Sequence, residues 1–127
     1  MQDRLLFEYA VIRVVPRVER EEFINVGVIL YCAKRKFLKS MIAFDEGRLA
    51  AFSTKLDAEE LRKNINSIGL ICDGGKASGP IGQLDLPSRF RWLTATRSTV
   101  IQASKVHPGF CMDPEETLMR LCKEFVL

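Results

Sequence analysis

Residues 23–32 read Phe-Ile-Asn-Val-Gly-Val-Ile-Leu-Tyr-Cys, a run that is apolar on both alternating faces except at Asn25. Successive side chains of a strand point to opposite sides, so a pattern without a polar face belongs in the middle of a sheet, not at its edge. The neighbouring segments supply its partners. Residues 7–15 are rich in Tyr, Val and Ile and end at Pro16, which cannot donate to a ladder. A charged turn over residues 17–22 and a basic connection over residues 33–36 then lead to a third strand at residues 37–44. Connections this short favour an antiparallel meander. Asn25-Val-Gly27 marks either a bulge or a close backbone approach by a ligand, the two common uses of glycine in a strand.

Helix signals follow. Residues 47–52 suit a short helix. Asp57-Ala-Glu-Glu60 is a capping box, with Leu56 and Leu61 placed as a hydrophobic staple. Leu61, Ile65 and Ile68 then share one face, and Gly69 is the expected stop. Residues 73–82 hold Gly74, Gly75, Gly79 and Gly82 and read as a loop that lacks the G-x-x-x-x-G-K-[ST] order of a phosphate cradle. A helical turn over residues 88–93 and a fourth strand over residues 99–104 come next. His107-Pro-Gly109 reads as a turn. Asp113, Pro114 and Glu116 start a last helix with Leu118, Leu121, Cys122 and Phe125 as its apolar stripe. The order predicts an α+β fold, a mostly antiparallel sheet of about four strands with helices packed on one face. With 127 residues, 47% of them apolar, residues 1–127 make a single domain able to bury a core without metal or disulfide support.

Cys32, Cys72, Cys111 and Cys122 show no C-x-x-C spacing, and His107 is the lone histidine, so no zinc site or other metal site is expected. Each cysteine lies in an apolar setting, which predicts buried, reduced thiols and a cytoplasmic protein. Glu8 and Arg13 interrupt the first apolar stretch, so neither a signal peptide nor a membrane span is expected. The net charge of +3 conceals a division. Residues 33–44 and 86–112 each contain four basic residues and no acid, which leaves eleven basic against sixteen acidic residues elsewhere, a balance of −5. If folding brings the two segments together, they form a basic face for an acidic partner.

Three sets of residues carry candidate chemistry. Arg13 inside the first strand reads as an anion-binding arginine with Asn25 as a polar neighbour, or as half of a structural ion pair with Glu22 or Glu8. Arg97 and Ser98 open the fourth strand and face Arg13 if that strand lies beside the first, a cluster suited to phosphate or carboxylate. Arg89, Phe90, Arg91 and Trp92 interleave guanidinium forks with aromatic rings, as a nucleic-acid surface does. The same spacing also fits a helix whose Phe90 and Leu93 enter the core while its arginines are solvated. Lys34, Arg35 and Lys36 either extend a basic surface or form a solvated hairpin tip that discourages edge aggregation. His107 is a general acid or base by its chemistry, but no Ser, Cys or Asp stands at a catalytic spacing from it.

Several strings together carry a resemblance: Tyr9-Ala-Val-Ile-Arg13 with Pro16, Arg20-Glu-Glu-Phe-Ile-Asn-Val-Gly-Val-Ile-Leu30, Arg89-Phe-Arg-Trp-Leu93, Arg97-Ser-Thr-Val-Ile-Gln102, His107-Pro-Gly109 and Asp113-Pro114. Over nearly the whole chain they resemble the bacterial family of unknown function DUF3037. The resemblance implies no reaction and no cofactor. It implies genes that neighbour HipA-like kinases of the toxin–antitoxin type, and so a regulatory or accessory domain that binds a protein partner. The matching polar positions are Arg13, Glu22, Asn25, Arg97, Ser98 and His107. Three functions follow as expectations: a non-catalytic domain that binds a protein partner through a surface that includes the basic residues 89–98, a nucleic-acid or nucleotide binder using Arg91, Trp92, Arg97 and the turn Lys34-Arg-Lys36, and a phosphoryl-processing enzyme using Arg13, Arg97 and His107.

Overall fold

The apolar run forms β2 (Ile24–Cys32), which pairs antiparallel with β1 (Leu5–Val14) on one side and β3 (Phe37–Ile42) on the other. The structure, a computed structural model, describes residues 4–53, 56–95, 97 and 99–127, save the side chains of Val18 and Ala77. The strand order is β3-β2-β1-β4, with β4 at Ile101–Ala103, and β5 (His107–Cys111) also pairs with β1. β4 lies opposite residues 12–14 and β5 opposite residues 5–9, so both occupy one edge of β1 in succession. Between them, residues 104–106 face only Ala10 and Val11, a surplus of one residue. Ser104 spans that break: its N–H donates to the Val11 carbonyl at 2.8 Å, and its hydroxyl accepts the Val11 N–H at 2.8 Å and donates to the Lys105 carbonyl.

The expected turn at His107-Pro-Gly109 is therefore a strand. Pro108 is tolerated because β5 is an edge, where one side of the backbone makes no ladder bonds. Gly109 admits the buried Phe7 ring, to which an added Cβ would come within 2.6 Å. The bulge at Asn25-Val-Gly27 is present: Ile12 pairs with Gly27 and Arg13 with Asn25, which leaves Val26 unpaired. Val26 turns into the core, and its carbonyl accepts from Ala43.

The helices are α1 (Glu46–Phe52), α2 (Ala58–Asp73), α3 (Gly79–Gly82), α4 (Leu86–Thr94) and α5 (Pro114–Phe125). Asp57 accepts from the N–H groups of Glu59 and Glu60, and Asp113 from those of Glu115 and Glu116, which satisfies donors that open helix ends leave bare. Asp85 caps α4, where the Ser88 hydroxyl and N–H hold its carboxyl below the usual range. Gly69 does not stop α2. Ile71 and Cys72 fall on the buried face one turn later, and their burial outweighs the roughly 1 kcal/mol that an interior helix glycine costs. The helix ends instead at Gly74, whose φ of +78° favours glycine. The glycine-rich stretch is not an open loop, for it contains a 3-10 turn at Lys76–Ser78 and the single turn of α3.

The helices cover both faces of the sheet. On one, Ile12, Val14, Val26 and Ile29 pack with Leu61 and Ile65 of α2 and with Phe90 and Leu93 of α4. On the other, Phe7, Val28, Leu30 and Cys32 pack with Leu118, Leu121 and Cys122 of α5. Consecutive residues Val28, Ile29 and Leu30 are all buried to within 1%, which one covering layer cannot achieve because neighbours point to opposite sides. Among the described residues, no helix is long and apolar enough to cross a membrane.

Candidate functional site

β1 alternation sends Arg13 to the α5 face of the sheet, opposite Asn25 on β2 and Gln102 on β4. Its guanidinium carbon lies 4.0 Å from the Phe23 ring centroid, a cation–π contact. The ion pair with Glu22 or Glu8 does not form: Glu22 binds Arg20 at 2.6 Å, and Glu8 points to the other face of β1. Asn25 donates to the carbonyl of Phe125 at the end of α5. Arg13 Nε and Asn25 Oδ1 are buried without a hydrogen-bond partner on this side of the sheet. A recess of about 360 Å³ lies beside Arg13, Glu21 and Gln102.

His107 is exposed on the same face, its ring 5.4 Å from Tyr9, which stacks in turn on Phe125. Among the described residues no side chain hydrogen-bonds it. Arg97 belongs to the opposite face. Its guanidinium lies 4.1 Å from the Trp92 ring centroid and donates to the Trp92 carbonyl. Arg13 and Asn25 thus come together, while Arg97 does not join them. Ser98 lies outside the described residues.

Arg97 stands at the mouth of a cleft of about 430 Å³ between α2, the end of α4, and β4. Ile12, Ile29 and Leu93 form its buried floor, and Ile68 and Ile101 its half-buried walls. Asn64 and Ser67 of α2 and Thr99 add polar groups. Among the described residues the lining contains one charge, Arg97, and no carboxylate. Sequence reasoning missed the α2 contribution, since it followed only the apolar face of Leu61, Ile65 and Ile68 and did not single out Asn64 or Ser67.

The basic and aromatic residues do not form one surface. Phe90 and Leu93 are core residues, and Phe90 stacks on Tyr31 at 5.3 Å. Arg89 is partly buried, and its Nη1 donates at 2.9 Å to the carbonyls of both Ile71 and Cys72, closing the C-terminal end of α2. It is therefore unavailable to phosphate, whereas Arg91 and Trp92 are exposed. Lys34, Arg35 and Lys36 are exposed on the β2–β3 turn, which packs against the start of β1. The Arg97 cleft borders Ile12 near the other end of that strand, roughly 20 Å away at about 3.3 Å per residue.

At the β1 start, Leu6 and Phe110 are register partners, 52% and 60% exposed, on the sheet face that α2 and α4 cover farther along. Arg4 lies over the Phe110 ring at 5.2 Å, and Met112, just past β5, is 53% exposed. Nothing in the local sequence flagged this pair, because only the register of β5 on β1 sets them side by side.

All four cysteines are buried and unbridged. Burial pushes the Cys72 thiol up to about 11 and raises those of Cys111 and Cys122. Thiols held protonated in this way are poor nucleophiles. No group of three metal-ligating side chains occurs among the described residues.

No curated protein and no solved structure matches the chain. The family model described as "Protein of unknown function (DUF3037)" matches residues 9–126, nearly its full length. The chain belongs to the DUF3037 family.

Proposed function

We propose that the protein is a non-catalytic accessory domain that binds a protein partner through the open end of its sheet. The observation that carries this reading is the adjacent exposure of Leu6 and Phe110 on the sheet face that α2 and α4 cover farther along. Exposed apolar side chains clustered beside cationic groups are typical of interface centres and rims. Arg4, Lys34, Arg35 and Lys36 stand at this same end, so the complementary partner presents apolar side chains among acidic ones. β5 adds an edge strand on which a partner strand can pair. A HipA-like kinase, the partner implied by the family resemblance, is the first candidate to test.

Size-exclusion chromatography and calorimetry with such a kinase, using wild-type protein and the double variant Leu6→Ser/Phe110→Ser, test the proposal. The expected result is a salt-weakened complex that the double variant loses by at least tenfold in affinity while Arg97→Gln retains it. Separate elution at low salt, or a complex indifferent to Leu6 and Phe110, overturns it.

A further inference from the structure

We propose that the cleft between α2, α4 and β4 is a small-molecule site for an amphipathic monoanion, a compound with an apolar body and one carboxylate. This inference stands apart from the partner surface, which lies at the opposite end of β1.

The chemistry of the lining selects the ligand. About 430 Å³ is within the usual range of small-molecule sites. The floor of Ile12, Ile29 and Leu93 offers no hydrogen bonds to a polar ligand body, so it favours hydrocarbon, whose removal from water is worth about 25 cal/mol per Å². Among the described residues of the lining Arg97 is the only charge, and none of them is a carboxylate that would compete for it. One guanidinium N–H is engaged by the Trp92 carbonyl and the guanidinium carbon lies over the indole, so the group is held at the mouth with donors to spare. The guanidinium also covers one face of Trp92 that a nucleobase could stack on, which favours an aliphatic body over a nucleotide. Asn64, Ser67 and Thr99 at the rim are neutral and add hydrogen-bonding groups without charge.

Trp92 is the single tryptophan, so its fluorescence reports on the cleft directly. Wild-type protein is titrated with octanoate, with octanol and octylamine as matched probes of the same chain length. The expected result is a saturable change with octanoate, at least tenfold weaker binding of octanol, and no saturable binding of octylamine. Arg97→Gln removes the preference for octanoate over octanol, Arg97→Lys retains part of it, and far-UV circular dichroism confirms that both variants fold. An independent reading comes from amide NMR shifts, expected at Asn64, Ser67 and Ile101 and not at Leu6 or Phe110. Octanoate and octanol binding alike, an unchanged preference in Arg97→Gln, or no saturable signal at millimolar octanoate each overturns the inference.

Discussion

The two faces of one sheet are covered in different ways. On the α5 face a single amphipathic helix lays Leu118, Leu121 and Cys122 over Val28, Leu30 and Cys32, and all six are at most 4% exposed. The other face has an equally tight centre around Ile12 and Ile29, but α2 and α4 leave a cleft beside β4 and stop short of Leu6 and Phe110. One face is closed over its centre by α5, and the other leaves apolar surface exposed at a cleft and at Leu6 and Phe110. That division explains why both candidate binding surfaces lie on the side carrying the larger number of helices.

The sharpest way to break this comparison is to remove equivalent hydrocarbon from each face. Leu118→Ala, at a position with no exposure, is expected to cost about 2–5 kcal/mol in urea unfolding. Ile68→Ala, on the wall of the cleft and already half-buried, is expected to cost only about 1 kcal/mol, because part of its surface is wet in the folded state. Equal losses would show that the cleft face is packed as densely as the α5 face.

The buried thiols sharpen the contrast further. Cys72 belongs to the core under α2 and α4, and burial lifts its thiol to about 11 from 9.0. The unfolded chain therefore loses this proton first, and between pH 9 and 11 the folded protein binds more protons than the unfolded one. Stability associated with the neutral thiol is present below pH 9 and declines as pH rises toward 11, by at most about 2–3 kcal/mol. Unfolding titrations from pH 8 to 11 should show a fall that is smaller in Cys72→Ala. If the variant and wild type decline in parallel, Cys72 is not the group responsible.

Local signals were legible where the chemistry is local. The caps at Asp57 and Asp113, the staple of Leu56 and Leu61, the bulge at Gly27 and the buried cysteines all depend on neighbours within a few residues. Long-range consequences were not. Gly69 reads as a stop until Ile71 and Cys72 are seen to reach the core. His107-Pro-Gly109 reads as a turn until β1 supplies its ladder. Arg89 reads as a phosphate ligand until the α2 carbonyls at Ile71 and Cys72 arrive beside it. The site suffered most from this limit, since the side of the sheet to which Arg13 and His107 belong depends on strand alternation and, for His107, on a one-residue surplus at Ser104. No composition or spacing rule reports those features.

The smallest expected effects come from the two aspartate caps, which are chemically alike but sit on helices with different duties. Asp57→Ala and Asp113→Ala each remove the one carboxylate oxygen that accepts two N–H bonds, and each is expected to cost about 1 kcal/mol. Among the described residues α5 is the sole helix over its face, so fraying at Asp113 should loosen Leu118 and accelerate exchange throughout the β1–β2 ladder. α2 shares its face with α4, so fraying at Asp57 should remain confined to the amides near Glu59, Glu60 and Leu61. Amide hydrogen exchange on the two variants separates these cases. Global acceleration in Asp57→Ala, or purely local acceleration in Asp113→Ala, would mean that the two faces contribute to stability in the same way despite their different packing.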